Sequence, residues 1–440
     1  MQTTVPGTVE RAEFLPDDEI RRIQTANWQH QSVYVRETSR FYQQAGFREE
    51  IPATLEGLVD FPFSDKEMLR DSQRDHPPFG DYLASAPATV NRIHRTSGTS
   101  GVAMNLALSK SDAEITAIVG ARAQSAAGLG PGHRVVHCLN YQLWMGGFTD
   151  HTTLEATGAT VVPFGVGDSE KLVRTIRELG ITAISCTPSY PAVLEQTIAR
   201  HFPGLAPKDL GLQLGLFGGE AGLDDPNFRQ RLESTWGFAV RNANYGVSDV
   251  FCNFAAQTEH CNDLHFLAAD VLYPELINPD SGELLPWQEG ETGELVLTHL
   301  ARQCQPLIRF RTGDILTLTG TGVADCGRTA TRFRVVGRND DMIVVRGLNL
   351  FPTMIAEVLH RFSGLSGEYR IVLNHKPPYD FLPIEVELAD GQTEQQDLAA
   401  QIEALIKKQL GATARVSVLP AHSLPRTEGK TRRVIRRYED

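Results

Sequence analysis

The chain has 440 residues, of which 41% are hydrophobic and 22% are charged, with 38 Gly and 24 Pro. This length and composition exclude a single small module and a collagen-like or largely disordered chain, and they indicate two or three globular units. The 42 Lys and Arg against 54 Asp and Glu give a formal charge of −12, which disfavours binding to nucleic acid or to an anionic membrane surface.

The sequence predicts a cytoplasmic protein with reduced thiols. No apolar run approaches the roughly 20 residues that cross a bilayer, and the N-terminus has no basic stretch followed by an apolar one. The 6 cysteines are too few and too scattered for a disulfide framework.

The N-terminal part of the chain, to residue 90, is predicted to be mainly helical. The sequence Ser-Asp-Lys-Glu at 64–67 predicts a helix start, in which Ser64 caps free N–H groups and Glu67 reaches back to close a capping box.

Short apolar runs alternate with helical stretches from residue 105 to residue 300. The alternation predicts parallel βαβ units and hence an α/β core, with ligands expected beyond the carboxyl ends of the strands. The predicted strands are at 134–139, 160–164, 182–186 and 214–217, and the helices between them include 168–179 and 223–235.

The pattern changes at residue 293, where alternating runs predict a small antiparallel layer extending to residue 345. Beyond it the sequence predicts an α+β unit with helices at 353–363 and 394–410 and strands at 369–374, 382–388 and 414–419. Its last segment, 424–437, is basic, and its composition alone is equally typical of a solvated tail.

Residues 95–101, Arg-Thr-Ser-Gly-Thr-Ser-Gly, form the most informative segment. Glycines let backbone N–H groups converge on an anion, and hydroxyls add donors that can follow phosphate oxygens. The segment therefore predicts a phosphate-binding loop, although a surface turn has the same composition, and it lacks the spacing of a P-loop ATPase. The predicted phosphate-binding residues are Thr96, Ser97, Gly98, Thr99, Ser100 and Gly101.

Three further turns carry side chains that suit a nucleotide. Gly218-Gly219-Glu220 permits close backbone approach beside a carboxylate. The turn 245–249, Tyr-Gly-Val-Ser-Asp, joins an aromatic face, a hydroxyl and an acid suited to Mg²⁺, and Asp314 is suited to accepting both hydroxyls of a ribose. Each turn alone is also typical of a structural hairpin.

Five motifs, in this order and spacing, resemble the adenylate-forming acyl-CoA synthetase superfamily; they are 96–101, 245–249, 311–314, 337–341 and 425–430. More narrowly, the chain resembles phenylacetate–CoA ligase over residues 30–437, with Arg92-Ile-His-Arg95 before the loop, Thr187-Pro-Ser-Tyr190, and the run from Met342 to Pro352. The resemblance implies a large N-terminal α/β domain, residues 1–338, whose mostly parallel sheets are flanked by helices and joined to the small antiparallel layer. A small mobile α+β domain, residues 339–440, would follow.

The resemblance also implies a two-step reaction. ATP and a carboxylate give an acyl-adenylate and pyrophosphate, and the thiol of coenzyme A then displaces AMP. Asp340 would be the hinge of the C-terminal domain, and Arg346 and Gly347 would lie on the coenzyme A side. Beside the phosphate loop, the implied nucleotide-binding residues are Gly219, Glu220, Asn244, Tyr245, Gly246, Asp314 and Arg338.

Lys430 would be the essential residue for adenylate formation. When a carboxylate attacks the α-phosphate, charge develops on both groups, and a compact ammonium on a flexible stem can bridge them. A mobile domain would let this ammonium leave before the thiol enters. The neighbouring arginines, Arg432 and Arg433 among them, leave open that Lys430 is one charge in a solvated tail.

The acid would lie between the sheet and the loops. Flat aromatic faces and glycines that leave room suit an aryl or arylacetic acid, although Tyr141 and Trp144 are also typical of a core. The residues assigned to this pocket are Tyr141, Trp144, Gly146, Gly147, Gly218, Tyr245, Gly246 and Ser248.

The chain departs from the family pattern at two positions and leaves its metals open. Val102 stands where the phosphate loop continues with Lys, and Asp249, the predicted Mg²⁺ ligand, stands where Glu is expected. A structural Zn²⁺ is a further possibility, with buried thiols and surface histidines as the alternative interpretation. Its candidate ligands are Cys252, His260, Cys261, His265 and Cys326.

The leading prediction is an AMP-forming ligase that joins a small aromatic carboxylic acid to coenzyme A and that is, by the same resemblance, a homodimer. Two alternatives remain at this stage. One is an adenylate-forming enzyme that passes the acyl group to an amine, a carrier protein or another nucleophile. The other is a non-catalytic nucleotide-binding homologue.

Overall fold

A computed structural model describes residues 8–9, 11–44, 47, 50–96, 103–220, 223–346, 348–393, 397–425 and 433–438, with the side chains of Asp340 and Asn349 left out. The α-helices in these ranges are α1 Asp17–Thr38, α2 Lys66–Asp75, α3 Lys110–Ala126, α4 Met145–Glu155, α5 Ser169–Glu178, α6 Tyr190–His201, α7 Pro226–Trp236, α8 Pro352–Leu359 and α9 Leu398–Leu410. Short 3-10 helices include Asn339–Asp341.

The strands of the first three-quarters of the chain are β1 Val90–Arg95, β2 Asn105–Ser109, β3 Arg134–His137, β4 Thr160–Pro163, β5 Ala183–Cys186, β6 Leu214–Gly218, β7 Ala239–Val247, β8 Phe251–Ala256, β9 Leu264–Phe266, β10 Leu272–Ile277, β11 Leu284–Leu285, β12 Thr292–His299, β13 Phe310–Gly320 and β14 Arg332–Arg338. Those that follow are β15 Ile343–Val345, β16 Leu348–Leu350, β17 Leu365–Leu373, β18 Leu382–Leu388, β19 Ala414–Leu419 and β20 Val434–Arg436.

One sheet of 12 strands forms the centre of the N-terminal part, in the order β11-β10-β12-β13-β14-β9-β8-β7-β6-β5-β3-β4. The predicted parallel half is confirmed: β4, β3, β5, β6 and β7 pair in parallel, and β5 and β6 are buried throughout, as expected of strands covered by helices on both faces. The antiparallel layer is larger than its sequence pattern suggested. It continues the same sheet, because β7 pairs in parallel with β6 and antiparallel with β8.

The C-terminal unit, residues 343–438, has a separate four-stranded sheet in the order β19-β18-β17-β20. Its own apolar cluster includes Ile355, Leu359, Ile384, Ile402 and Val434. The basic end of the chain is partly built into this sheet, since β20 pairs in parallel with β17.

Several predicted helix ends differ from the structure, and two of them show by how much. The N-cap of α2 is Asp65, whose side chain accepts a hydrogen bond from Met68 N at 2.9 Å, whereas Ser64 donates to the Ile308 carbonyl. Helix α8 ends at Leu359, before the predicted residue 363. None of the helices in the described ranges combines the length and apolarity that crossing a bilayer requires.

Candidate active site

The carboxyl ends of β6 and β7 form a glycine-lined edge. A Cβ at Gly218 would lie 2.5 Å from both the Cβ and the carbonyl oxygen of Asn244, so only glycine fits without a shift. Gly219 has a φ of +81°, which favours glycine, and its Cβ direction is open. Glu220 accepts a hydrogen bond from Ser189 N at 3.1 Å. This edge leaves the main chain accessible to a flat ligand.

Tyr245, Asp314 and Arg338 form a connected group beside that edge. The Tyr245 hydroxyl donates to Asp314 Oδ2 at 2.8 Å, and Arg338 Nη1 donates to Asp314 Oδ1 at 2.8 Å. Burial and the charge of Asp314 raise the pKa of Tyr245 well above its usual value, so the phenol keeps its proton as a donor. Each carboxylate oxygen of Asp314 retains lone pairs for further hydrogen bonds.

The described residues on either side of the predicted phosphate loop belong to β1 and β2, which pair as a hairpin. Arg95 and Asn105 are paired across the hairpin. Thr96 N donates to Met104 O, and Met104 N donates to Thr96 Oγ1, each at 3.0 Å. The predicted residues Ser97, Gly98, Thr99, Ser100 and Gly101 lie outside the described ranges. The hairpin and these two hydrogen bonds fix where that loop leaves and re-enters the fold.

Asp249 pairs with a residue that sequence reasoning assigned to no site. Lys66, at the start of α2, donates to Asp249 Oδ2 at 3.1 Å. Asp249 Oδ1 is buried and has no hydrogen-bond partner within the described part of the chain. The Lys66–Asp249 pair joins residues 183 positions apart, so no local sequence pattern indicates it. Ser248 is half-buried in the same turn.

A buried histidine, His137, hydrogen-bonds to Gly146 and Gly147 of the predicted acyl pocket. His137 Nε2 lies 3.0 Å from Gly146 O and 3.1 Å from Gly147 O, and both are acceptors, so this nitrogen carries the proton. Burial lowers the pKa of His137 to about 4, which keeps the ring neutral, and Nδ1 accepts from Ser185 Oγ at 3.0 Å. The start of α4 is therefore fixed in place.

Tyr141 and Trp144 precede the start of α4. The Tyr141 hydroxyl lies 2.9 Å from His151 Nδ1, and His151 Nε2 lies 3.1 Å from Glu155, so the tyrosine ring is oriented by a chain of hydrogen bonds. A Cβ at Gly146 would lie 3.1 Å from the Trp144 ring, and one at Gly147 would lie 2.2 Å from Asn140 O. Glycine at both positions lets the aromatic segment pack closely on α4.

A buried carboxyl group connects α4 to the nucleotide edge. Asp150 accepts a short hydrogen bond from Asn244 Nδ2, and Asp150 Oδ1 is buried without a hydrogen-bond partner among the described residues. Burial raises the pKa of Asp150 to about 7, opposed by interactions with Cys252 and Asn244. Gly246 lies against the same wall, because its Cβ would be 2.1 Å from Cys252 O.

The structure places the C-terminal candidates as follows. Lys430 and Gly347 lie outside the described ranges, and Asp340 lies in the 3-10 helix Asn339–Asp341. Arg346 is exposed, 3.5 Å from Asp380, with a positive φ of 50°. Both sides of the segment that contains Lys430 are held by acids: Leu424 N donates to Glu387 at 2.7 Å, and Arg433 donates to Glu368 at 2.6 Å.

Arg433 also relates this segment to the nucleotide edge. Burial lowers its pKa, but the charges of Glu368, Tyr369 and Glu220 together raise it above the usual value. Arg433 is therefore near enough to Glu220, at the end of β6, to feel its charge.

The candidate zinc ligands are not brought together. His265 Nε2 and Cys326 Sγ are 3.9 Å apart, but Cys252 lies beside Asp150 in a separate buried cluster with Met145. Within the described ranges, no three His, Cys, Asp or Glu side chains form a group that could hold a metal ion. His260 and Cys261 lie at a surface turn instead, exposed and half-buried respectively.

Comparisons with known proteins now identify the class. Residues 347–437 match the AMP-binding enzyme C-terminal domain family. The chain is also similar to a solved 2-hydroxyisobutyryl-CoA ligase in the postadenylation state in complex with R3-HIB-AMP, with a TM-score of 0.88 and 29% identity over 98% of this chain and 94% of that one. The fold and the edge around Asp314 thus define an adenylate-forming enzyme.

The relatives in sequence identify the family to which the chain belongs within the adenylate-forming enzymes. The chain is 34% identical to a phenylacetate–coenzyme A ligase of Thermus thermophilus, covering 96% of this chain and 98% of the relative. It is 32% identical to a phenylacetate–coenzyme A ligase of Escherichia coli, covering 95% of each. The chain belongs to the phenylacetate–coenzyme A ligase family and is an AMP-forming carboxylate–CoA ligase.

A second solved state of the same ligase is less similar to this structure. Against its thioesterification state with 2-HIB-AMP and CoA, the TM-score falls to 0.68 at 30% identity, covering 96% of this chain and 91% of that one. The structure is therefore more similar to the postadenylation complex than to the thioesterification complex.

Proposed function

We propose that the chain activates an aromatic or arylacetic acid and transfers its acyl group to coenzyme A. The observation that supports this choice of acid is the segment after β3. There Tyr141 and Trp144 present aromatic faces, while Gly146 and Gly147 add no side chain between them and α4. Flat faces stack on an aryl group and exclude water from it.

The nucleotide would be held by the group around Asp314. Its two oxygens, oriented by Tyr245 and Arg338, accept the ribose hydroxyls, while the adenine lies on the Gly219–Glu220 edge and against Tyr245. The segment 96–101, between β1 and β2 in the sequence, would supply backbone and hydroxyl donors to the phosphates. This arrangement leaves the α-phosphate to face the acid.

Adenylate formation then requires one cation at the reacting oxygens. The carboxylate attacks the α-phosphorus, and the bond to the bridging oxygen breaks to release pyrophosphate. We assign Lys430 to this step, because it is the lysine of the motif at 425–430; the described residues on either side, Leu424 and Arg433, are hydrogen-bonded to Glu387 and Glu368. The thiol of coenzyme A next attacks the acyl carbon and expels AMP, with Arg346 and Gly347 on its side of the site.

Asp249 fits a role at Mg²⁺ bound to the phosphates. Its Oδ1 is buried and without a partner among the described residues, and carboxylate oxygen is the ligand that Mg²⁺ prefers. The ion would neutralise phosphate charge. Lys66 donates to the other oxygen of this carboxylate, Oδ2.

The two units would be residues 1–338 and 339–440, with Asp340 as the hinge. We also propose that the protein is a cytoplasmic homodimer. The 6 cysteines are free, which fits a reducing compartment.

Pyrophosphate release with a panel of acids, measured with and without coenzyme A, tests the proposal. Phenylacetate and benzoate should give much higher kcat/KM than 2-hydroxyisobutyrate or acetate, and acyl-CoA should form only with coenzyme A present. Preference for 2-hydroxyisobutyrate would overturn the aromatic assignment. Pyrophosphate release with no acylation of coenzyme A would instead point to another acceptor.

A further inference from the structure

A histidine of the C-terminal unit meets an aspartate of the N-terminal part at a single buried contact. His360 Nδ1 lies 2.5 Å from Asp225 Oδ2, with 12% and 3% of the two side chains exposed. The His360 ring also stacks on Phe228, with centroids 5.3 Å apart and planes 16° from parallel. Charge and ring contact together fix the position of His360.

The Asp225 carboxylate contacts residues of both units. Its Oδ1 caps α7 by accepting from Asn227 N at 2.8 Å, and its Oδ2 faces His360. Burial alone would raise the pKa of Asp225, but the hydrogen bond from His360 and those from the helix start hold it below its usual value. The carboxylate is therefore charged and has one oxygen available to each unit.

The two partners belong to separate cores. Helix α7 packs through Leu232 and Trp236 into the core of the parallel half. Helix α8, which His360 follows, packs through Ile355 and Leu359 into the C-terminal core. The His360–Asp225 contact thus spans the junction and stabilises neither core by itself.

The His360–Asp225 contact lies at the end of α8 that is farther from the proposed hinge, where it can resist rotation of the C-terminal unit. The other end of α8 is tied to β14, where Thr353 Oγ1 donates to Val336 O at 2.5 Å, close to the proposed hinge at Asp340. His360 follows seven residues later, about 10 Å along the helix at 1.5 Å per residue. A contact farther from a pivot resists rotation more strongly than one beside it.

The surrounding charges are mainly acidic. Burial first, and then the charge of Asp225, raise the pKa of Glu357 on α8, while Arg361 and Arg334 oppose this. Burial raises the pKa of Asp224 to about 6. Without the imidazole, the repulsion between Asp225 and Glu357 would lose one of the groups that offset it, since His360 also lowers the pKa of Glu357.

We propose that His360 is a positioning residue, which through Asp225 holds the C-terminal unit in the adenylate-forming arrangement and releases it before thioester formation. This inference rests on the proposed two-step function and on the similarity of the structure to the postadenylation complex. His360 contacts neither substrate in this role. It acts by selecting one of two placements of the unit that carries Lys430.

The test measures the two half-reactions separately in His360→Ala. Loss of a hydrogen bond to a charged group should slow single-turnover adenylate formation, followed as pyrophosphate release without coenzyme A, by roughly tenfold. Thioester formation from enzyme loaded with acyl-adenylate should stay constant or become faster. Equal slowing of both steps, or no change in either, would overturn the proposal.

Asp225→Asn is the companion variant, because asparagine caps a helix as well as aspartate does and so preserves the start of α7. It should shift the two half-reactions in the same direction as His360→Ala, and the double variant should be no worse than either single one. Additive effects would show that the two residues act independently and would contradict the proposal.

His422→Ala is the matched control, since His422 is an exposed histidine of the same unit, paired with Asp390 at the surface. Both half-reactions should be unchanged in it. If the wild-type protein releases no pyrophosphate with any acid, the proposed function fails. If it does and the His360 and Asp225 variants match it, only the positioning role fails.

Discussion

Asp314 and Arg338 face each other across the β13–β14 pair and are joined by a hydrogen bond of 2.8 Å. The other oxygen of Asp314 accepts from Tyr245 at the same distance. Asp314 is thus fixed from two sides, by Arg338 on the neighbouring strand and by Tyr245 on β7, so neither oxygen would have to reorient when a diol binds.

Replacing Asp314 by Ala should therefore raise the KM for ATP about 10- to 100-fold, from the loss of two hydrogen bonds to a charged acceptor. Initial rates at saturating acid measure this. Tyr245→Phe keeps the ring and removes only its hydroxyl, so its effect should be smaller. An unchanged KM for ATP in Asp314→Ala would place the ribose elsewhere.

Lys430→Ala should slow adenylate formation by about 10²- to 10³-fold, the usual effect of removing one group that stabilises transition-state charge. Binding of ATP, measured by calorimetry, should stay near normal, and so should thioester formation from supplied acyl-adenylate. Lys408→Ala, at an exposed lysine of α9, is the control and should leave both steps unchanged. If Lys430→Ala forms adenylate as fast as wild type, Lys430 has no role in that step and is one charge in a solvated tail.

Gly146→Ala should change the choice of acid more than it changes stability. Its Cβ would press on three atoms of the Trp144 ring at 3.1–3.3 Å, so the ring moves slightly into the proposed pocket. We expect kcat/KM to fall several-fold for phenylacetate and to change little for acetate.

Gly147→Ala provides the comparison for that variant. Its Cβ would meet the Asn140 carbonyl at 2.2 Å, and the backbone must move to relieve this contact. Thermal unfolding should show a clear loss of stability here and little in Gly146→Ala. A uniform fall in kcat/KM across all acids for Gly146→Ala would mean that Trp144 does not line the pocket.

Asp150→Asn should make stability less dependent on pH. Burial raises the pKa of Asp150 to about 7 in the folded protein, against about 3.9 in an unfolded chain. Between these values the folded state binds more protons, so wild-type stability falls as pH rises from about 4 to about 7, by up to roughly 4 kcal/mol. Asp150→Asn has no carboxyl group to ionise at this position, so its stability should not fall in this way.

Urea unfolding at pH 4.5 and pH 8 measures the difference. Relative to wild type, Asp150→Asn should gain stability at the higher pH, whereas Asp325→Asn, at an exposed carboxylate, should not. A constant difference at both values would show that Asp150 is charged in the folded protein.

The sequence predicted the elements whose signal is local. The runs at 182–186 and 214–217 became β5 and β6 because continuous apolar residues of strand length are stable only when covered on both faces. The start of α2 was displaced by one residue because Ser64 finds a partner in the distant Ile308 carbonyl, leaving Asp65 to cap.

The contacts that sequence reasoning missed join distant segments. Asn244 and Asp150 are 94 positions apart, and His360 and Asp225 are 135 apart. No residue pattern encodes such pairs in a single sequence, because each partner alone is typical of a cap or a polar turn. The strand β20 shows the same limit, since its basic residues are typical of a tail until β17 is placed beside them.

Strand β7 marks the change from parallel to antiparallel pairing in the large sheet, because it pairs in parallel with β6 and antiparallel with β8. The aromatic segment after β3 belongs to the parallel side, and Asp314 and Arg338 belong to the antiparallel side. Under the proposed function, the acid and the ribose would bind on opposite sides of β7. Exchange of the segment 139–148 would then alter the choice of acid without changing the residues proposed to bind ATP.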